Sequence, residues 1–512
     1  MKARSKAELI VERIESGEGR RAMPLPVSPP YSLGELLPRR AEGPGYHVPG
    51  EMGSQLAAAF ERAFALIERG HGPLSVASPA QVLTPRWHRL FNRLKELGLA
   101  QSVTLSMPFE RGVPLYYFDV GSPFLWHATD GARPEVSRYS RGFSEDYDVA
   151  LARAVGECLE RGALLYFRME DMVRGSARSL RSHARRIVEP RSVGVFSPGQ
   201  IERMPERRFD DDSVFQWTEC TSLLTGSRAL VPAQLVHWNF PTAWGDVAEP
   251  VLRERSTHGA GGFYSVEGAV LSGLLECVQR DGFFLYWLRS LAPPRIDPGG
   301  VRWPATLGLI EKARDVGLET VLFDITSELG IPTCLCALIR TDGEAPYASM
   351  GGSCRLDGER AIHDAFLEAA SVHHMLVQRT EPFRLPDDYE PFTDPSLHTP
   401  NRLAFWANPE HARHLAFFLE GRPTSVSEFC RGLAGGEEAR ESLALVVRVL
   451  KQHGVDAFYV EARHAGLDEL GYASVRVIVP HLLPLYYEER NAPLGHPRLR
   501  HAALNRWPHP FP

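Results

Sequence analysis

The chain has 512 residues, 57 Lys and Arg against 63 Asp and Glu, a formal net charge of −6 and a sequence pI near 6.4. That balance speaks against nucleic acid as the main partner, and no uninterrupted apolar run reaches the ~18 residues of a membrane span. The seven cysteines include no CxxC pair, which argues against a zinc ribbon or thioredoxin-type site and for reduced thiols; the charged start MKARSKAELIVERIESGEG has no apolar signal core, so a cytoplasmic protein is expected.

Residues 5–16 are predicted helical, with Ser5 and Glu8 spaced as a capping box. Pro24, Pro26, Pro29 and Pro30 then favour an extended segment. Residues 55–69 carry an apolar stripe (Leu56, Phe60, Ala63, Phe64, Ile67) ended by Gly70. Residues 1–71 therefore read as an N-terminal extension, either a packing arm or a docking element, ahead of a main domain over 72–512. In that domain residues 114–120 read as a strand. Arg174, Arg178, Arg181, Arg185 and Arg186 form a basic helical surface, open to an acidic peptide or phosphate or simply to solvent. Residues 234–238 are expected to be a short buried strand, 308–317 a helix, 319–323 and 331–339 strands, and 381–400, with five prolines, irregular. Residues 442–452 read as helix, 457–461 as extended and 474–479 as a β-branched strand. Beyond Pro480 an extended tail is expected. Mixed strands and helices place the chain in the α/β or α+β class.

One pattern occurs three times. In residues 256–287 the loop Gly259-Ala260-Gly261-Gly262 precedes Ser265, in N-cap position, with Glu267 in the first turn. Val270, Leu271, Leu274, Leu275 and Val278 make one helical side, and Gly268, Ser272, Glu276, Gln279 and Arg280 the other. A glycine loop feeding a helix start can receive an anion, so the polar side faces either a metal-bound phosphate or solvent. Residues 141–167 repeat the pattern, with Arg153, Glu157, Glu160 and Arg161 on one face and Leu151, Val155, Cys158 and Leu159 opposite. A looser copy spans 351–374, where Asp364 and Glu368 share a face; His373 and His374, being adjacent, are ordinary helix residues rather than joint ligands. Carboxylates on such helices suit hard cations that prefer oxygen and nucleotide phosphate. No P-loop, HExxH or GxSxG motif competes.

These copies resemble the YcaO superfamily, whose ATP site is built from an SxxxExxER motif and a second ExxE(R) motif after a glycine-containing loop. The likeness runs from about Gly72 to Pro512 and includes WTECTSLLTGSRALVPAQ at 217–234, DITSELGIP at 324–332 and YASVRVIVP at 472–480. The ending Pro508-His509-Pro510-Phe511-Pro512 is similar to the PxPxP of the azoline-forming branch, the cyclodehydratases of thiazole/oxazole-modified peptides. The resemblance implies an α+β fold of mostly antiparallel sheets faced by helices, with an internal repeat around an ATP site. It implies ATP and Mg2+ as cofactors, held by Arg153, Glu157, Glu160, Arg161, Glu276, Gln279, Arg280 and Glu368, with Glu157, Glu160 and Glu276 on the metal. Pro508, Pro510 and Pro512 are the implied catalytic tail, the Pro512 carboxylate acting as base or positioning group. The partners implied are a ribosomally made precursor peptide and a separate leader-binding E1-like protein, with a homodimer open.

The chain departs from the family pattern at four positions. Arg153 replaces the motif serine, Gly268 a carboxylate, Gln279 a glutamate and Ser371 a glutamine. The expected reaction is cyclodehydration of Cys, Ser or Thr. Two alternatives stand beside it: a degenerate YcaO-fold partner that binds peptide without turnover, and ATP-dependent cleavage of the peptide amide.

Overall fold

A computed structural model describes residues 75–76, 82–106, 113, 115–122, 139–238, 240, 242–244, 247–377, 383–431, 435–436 and 438–511. The expectations for residues 1–71, for Pro114 and for Pro512 lie outside these. The chain divides into two compact units. One takes the described residues up to Ala163, with Phe263–Ser265 and Arg463–Ala473; the other comprises Leu164–Gly262, Val266–Ala462 and Ser474–Pro512.

The first unit is built on an antiparallel meander of Ser75–Val76, Ser102–Ser106, Tyr116–Gly121 and Tyr139–Ser144. Three helices accompany it among the described residues, one of them the short Ala465–Leu470. Pro85–Glu96 starts on a Thr84 N-cap followed directly by proline and buries Trp87, Leu90, Phe91 and Leu94, an i, i+3, i+4, i+7 stripe. Tyr147–Leu164 is the first motif helix, opened by Asp146, whose carboxylate accepts the Val149 N–H at 3.0 Å. Asp148, buried in its first turn, accepts Trp87 Nε1–H at 2.5 Å and so ties the two helices together.

The second unit holds two larger sheets. A six-stranded sheet runs in the order Ala260–Phe263, Ala473–Ile478, Phe458–Ala462, Val214–Ser222, Val173–Ser176, with Arg228–Pro232 also paired to Val214–Ser222. A five-stranded sheet runs Ala348–Cys354, Thr333–Arg340, Leu318–Asp324, Arg295–Ile296, Pro423–Thr424; its first three strands are antiparallel neighbours and Pro423–Thr424 joins in parallel. Thr333–Arg340 and Ala348–Cys354 are buried along their whole length, because sheet and helix cover them. Val266–Leu288 and Gly358–Val377 are the second and third motif helices, and Val266–Leu288 is buried nearly all round. Its Phe283, Phe284 and Trp287 enter a core that also contains Phe405, Trp406, Tyr486 and Phe511.

The mixed, largely antiparallel architecture is the expected one, and most elements fall where periodicity places them. Three expectations are corrected. Residues 234–238 are a 3-10 turn, Ala233–Leu235, because the Gln234 amide donates to Pro250 O (2.9 Å) and Glu249 (3.1 Å) and accepts the Leu252 N–H (2.9 Å), which holds the backbone in a turn. The basic helix is only Ala177–Ser182, and its charges are matched: Arg178 with Asp212, Arg181 with Glu189 and Asp211, and beyond it Arg186 with Asp456. Residues 260–263 form a strand, not a loop. The seven cysteines are all free thiols.

Candidate nucleotide and metal site

The three motif copies share one construction. In each, a glutamate midway along the helix accepts a backbone N–H from the preceding strand or, in the second copy, from the residue just before it. Arg141 N–H donates to Glu157 Oε2 at 2.7 Å, Gly259 N–H to Glu276 Oε2 at 3.1 Å, and Gly352 N–H to Glu368 Oε2 at 2.7 Å. Each glutamate lies eleven residues after the residue that precedes the helix, Asp146, Ser265 or Asp357. In the first two copies an arginine one turn on pairs with it: Arg161 with Glu157 at 2.7 Å and Arg280 with Glu276 at 3.5 Å.

Glycine lets strand and helix approach this closely. A Cβ on Gly142 would lie 1.9 Å from Ala150 O, and one on Gly261 2.1 Å from Ala269 O. Gly259 and Gly261 therefore serve backbone-to-backbone packing. The N–H of Gly259 is taken by Glu276, which corrects the reading of this stretch as an open anion-binding loop.

In the first unit Glu157 holds both the Arg141 N–H and Arg161, whose other arm donates to Tyr139 O at 3.2 Å. Arg153, on the same helix, donates to Phe143 O at 3.1 Å. Glu160, on the same helix, is half-buried.

In the second unit the structure brings Glu276, Gln279, Arg280 and Glu368 together. Gln279 is buried, donates Nε2–H to Gly352 O at 2.5 Å and comes within 3.5 Å of Glu368 Oε2. Burial pushes both carboxyls up, Glu276 against the pull of Arg280 and Arg476, and Glu368 against that of Arg280. Arg280 keeps Nε and Nη1 buried with no hydrogen-bond partner among the described residues. Asp364, one turn before Glu368 on the same helix, is held by Arg355 at 2.9 Å and Arg360 at 3.1 Å. Gly268 and Ser371 are buried in their helices.

Sequence reasoning passed over three residues of this neighbourhood. Arg476 donates to Leu235 O (3.0 Å) and Ser256 O (2.7 Å) from within a buried strand. Arg253 donates to Val193 O (2.7 Å), and its Nη2 is buried with no partner among the described residues. His258 is held neutral, its pKa well below the ordinary value through burial and through Arg476, Arg253 and Arg280. Three guanidiniums thus gather around His258, and two of them, Arg280 and Arg476, also act on Glu276. A charged residue inside the β-branched run Val475-Arg476-Val477 was the legible signal for Arg476; nothing local marks Arg253.

Unpartnered, buried guanidinium donors beside carboxylates fit a polyanion with a divalent ion. Among the described residues no three His, Cys, Asp or Glu side chains stand together as a metal-ligand group. Mg2+ typically keeps water and phosphate oxygens with one or two carboxylates, so the arrangement suits that ion better than an all-protein cage. No helix among the described residues is long and apolar enough to cross a membrane.

Comparison with known proteins agrees with this geometry. Residues 141–483 match the YcaO family, described as an ATP- and Mg2+-binding cyclodehydratase. An uncharacterised protein of Methanothermobacter thermautotrophicus is 26% identical over 53% of this chain and 67% of its own length. Among solved structures, a heterocyclase in complex with substrate and cofactor superposes with a TM-score of 0.65 at 20% identity, over 87% of this chain and 60% of that one. YcaO from Methanopyrus kandleri bound with AMPPCP and Mg2+ superposes with a TM-score of 0.54 at 19% identity, over 78% of this chain and 89% of that one. The chain thus spans well under two thirds of that heterocyclase, and at these identities the superpositions speak for the fold. With the matched segment covering most of the chain and all three strand–helix copies inside it, this protein belongs to the YcaO family.

Proposed function

We propose that this protein is an ATP- and Mg2+-dependent enzyme that modifies the backbone of a ribosomally made precursor peptide, by cyclodehydration of Cys, Ser or Thr to azolines. In that reaction attack of the side chain on the preceding amide carbonyl closes the ring, ATP would phosphorylate the resulting oxygen, and elimination of phosphate with the amide proton leaves the C=N bond of the azoline. The observation that carries the reading is Arg280: two buried guanidinium donors without a partner, beside Glu276 and Glu368, in a family that binds ATP and Mg2+. Arg280, Arg253 and Gln279 are assigned to phosphate, and Glu276 to Mg2+, with Glu368 holding the strand of Gly352. For Arg153, Glu157, Glu160 and Arg161 of the first unit we propose the same kind of ligand, Glu157 and Glu160 being metal ligands. Pro508, Pro510 and Pro512 are assigned to a tail that positions the reacting amide. A separate leader-binding partner and a cytoplasmic location complete the reading.

A second reading, a YcaO-fold partner that binds peptide without turnover, is favoured by Gln279, whose amide satisfies Gly352 O without any metal. Co-expression with a candidate precursor peptide, followed by mass spectrometry, separates the two. A loss of about 18 Da per ring, dependent on ATP and Mg2+, is the expected result. Peptide binding with unchanged mass would sink the enzymatic reading.

A further inference from the structure

Residues 505–511 are held in the second unit like a bound peptide. Five successive contacts take up the tail's backbone oxygens: Tyr389 Oη–H on Arg506 O (2.9 Å), Trp287 Nε1–H on Trp507 O (3.3 Å), Trp406 Nε1–H on Pro508 O (2.9 Å), and Arg402 Nη1–H on both His509 O (2.7 Å) and Phe511 O (2.9 Å). Arg402 is fully buried. Its Nη1 also faces His509 Nδ1 at 2.8 Å, its Nε donates to Tyr487 O at 3.0 Å, its Nη2 to Thr399 Oγ1 at 2.9 Å, and Glu489 lies 3.8 Å away as counter-charge. The His509 N–H donates to Glu489 at 2.9 Å. The guanidinium thus reaches Tyr487 through Nε, Thr399 through Nη2 and the tail through the two N–H of Nη1, a spread of donors that an ammonium cannot match.

The grip fixes the Phe511 ring. Its centroid is 4.7 Å from that of Phe283, and the Arg280 guanidinium stands over it at 4.3 Å. A Cβ on Gly352 would meet the same ring at 3.0 Å and Gln279 Nε2 at 3.1 Å, so only glycine leaves room for both. Phe511 thus touches the residue that presents the unpartnered donors and the strand that feeds Glu368.

We propose that Arg402 and Phe511 are positioning residues: the tail, clamped by Arg402, uses the Phe511 ring to hold the Arg280 guanidinium in the orientation that receives phosphate. The proposal rests on the nucleotide reading of Arg280 given above. It makes the tail part of nucleotide binding, not of peptide handling alone.

The test uses the full-length protein, Phe511→Leu (apolar, without a π face), Phe511→Tyr (π face kept) and Arg402→Lys. Two quantities are measured: the rate of phenylglyoxal labelling of Arg280, read by peptide mass spectrometry, and the affinity for AMPPCP with Mg2+ by calorimetry, with melting temperature as the folding control. Phe511→Leu should speed labelling at least about threefold and weaken AMPPCP binding about tenfold, the scale of a desolvated cation–π contact. Phe511→Tyr should stay near wild type in both, and Arg402→Lys, where folded, should follow Phe511→Leu. Equal labelling in wild type and Phe511→Leu overturns the proposal whatever the nucleotide does. Faster labelling, in a protein whose wild type binds no AMPPCP, upholds the positioning of Arg280 and removes the nucleotide reading instead.

Discussion

Glu276 and Glu157 each do two things at once: they present a carboxylate, and they satisfy a strand N–H. Truncation to alanine would therefore confound chemistry with folding, since an orphaned buried donor costs about 1–3 kcal/mol. The cleaner change is Glu276→Gln, whose amide oxygen can still accept from Gly259 while the charge is gone. It should abolish ATP-dependent peptide modification with a melting temperature within a few degrees of wild type; undiminished turnover would remove Glu276 from the site. Gln279 offers the complementary test. Its Nε2–H donates to Gly352 O at 2.5 Å and lies near Glu368. Gln279→Glu would set a carboxylate against a carbonyl and another carboxylate, so it should destabilise the free protein by about 1–3 kcal/mol. With Mg2+ and nucleotide present the added oxygen ligand should restore that stability. Thermal melts with and without Mg2+–AMPPCP decide it: a variant that regains nothing shows that the position no longer faces a metal.

Among the elements, the motif helices were readable because caps and period agree locally: an acid or serine at the start, an apolar stripe, and a glutamate at constant spacing. The strands before them were not. Residues 259–262 carry the punctuation of a turn, yet Ala260–Phe263 is a strand, because Gly261 answers to a helix that crosses at backbone distance. That requirement is tertiary and leaves no local trace. It also makes a sharp prediction. Gly142→Ala and Gly261→Ala each add one methyl group where Ala150 O or Ala269 O already sits, at 1.9 and 2.1 Å. Neither site is relieved by a flexible side chain, so each should cost at least about 3 kcal/mol, the upper range for overpacking. Gly199→Ala, where nothing lies within 4 Å of the added carbon, is the control. Urea unfolding of the three variants measures this, and equal midpoints would show that the strand–helix crossings yield. The cluster of Gln279, Arg280 and Phe511 was equally hidden, since its members come from distant parts of the chain and meet only once the second unit is formed.

At the scale of the whole molecule the tail is structural as well as functional. An extended, proline-rich tail would be an appendage removable at little cost in stability. The structure corrects this, for Phe511 and His509 are fully buried and Arg402 depends on them. Deleting residues 508–512 should lower stability by about 3–5 kcal/mol, the loss typical of removing one core aromatic side chain; an unchanged unfolding midpoint would return the tail to the status of an appendage. The same unit also buries carboxyls that make its stability sensitive to rising pH. Asp281 is fully buried, with Oδ1 accepting the Leu483 N–H at 2.9 Å and Oδ2 3.2 Å from Arg498, which is itself paired with Glu328. Burial outweighs that arginine and pushes its carboxyl up to about 7. Glu249, Glu254 and Glu489 are pushed to about 7 for the same first reason. A carboxyl raised in the folded state binds more protons there than in the unfolded chain, so its contribution is full below the unfolded pKa and declines as pH rises through the folded one. Stability should therefore fall from about pH 4 to about pH 7 and then level off as far as these groups govern it. For Asp281 alone the change is on the order of 4 kcal/mol. Asp281→Asn keeps an acceptor for Leu483 and leaves Arg498 its Glu328, but removes one titrating proton. Urea unfolding at pH 5, 6, 7 and 8 should give a shallower decline in the variant than in wild type. Parallel curves would mean that Asp281 is ionised throughout, held by Arg498 as an ordinary buried ion pair.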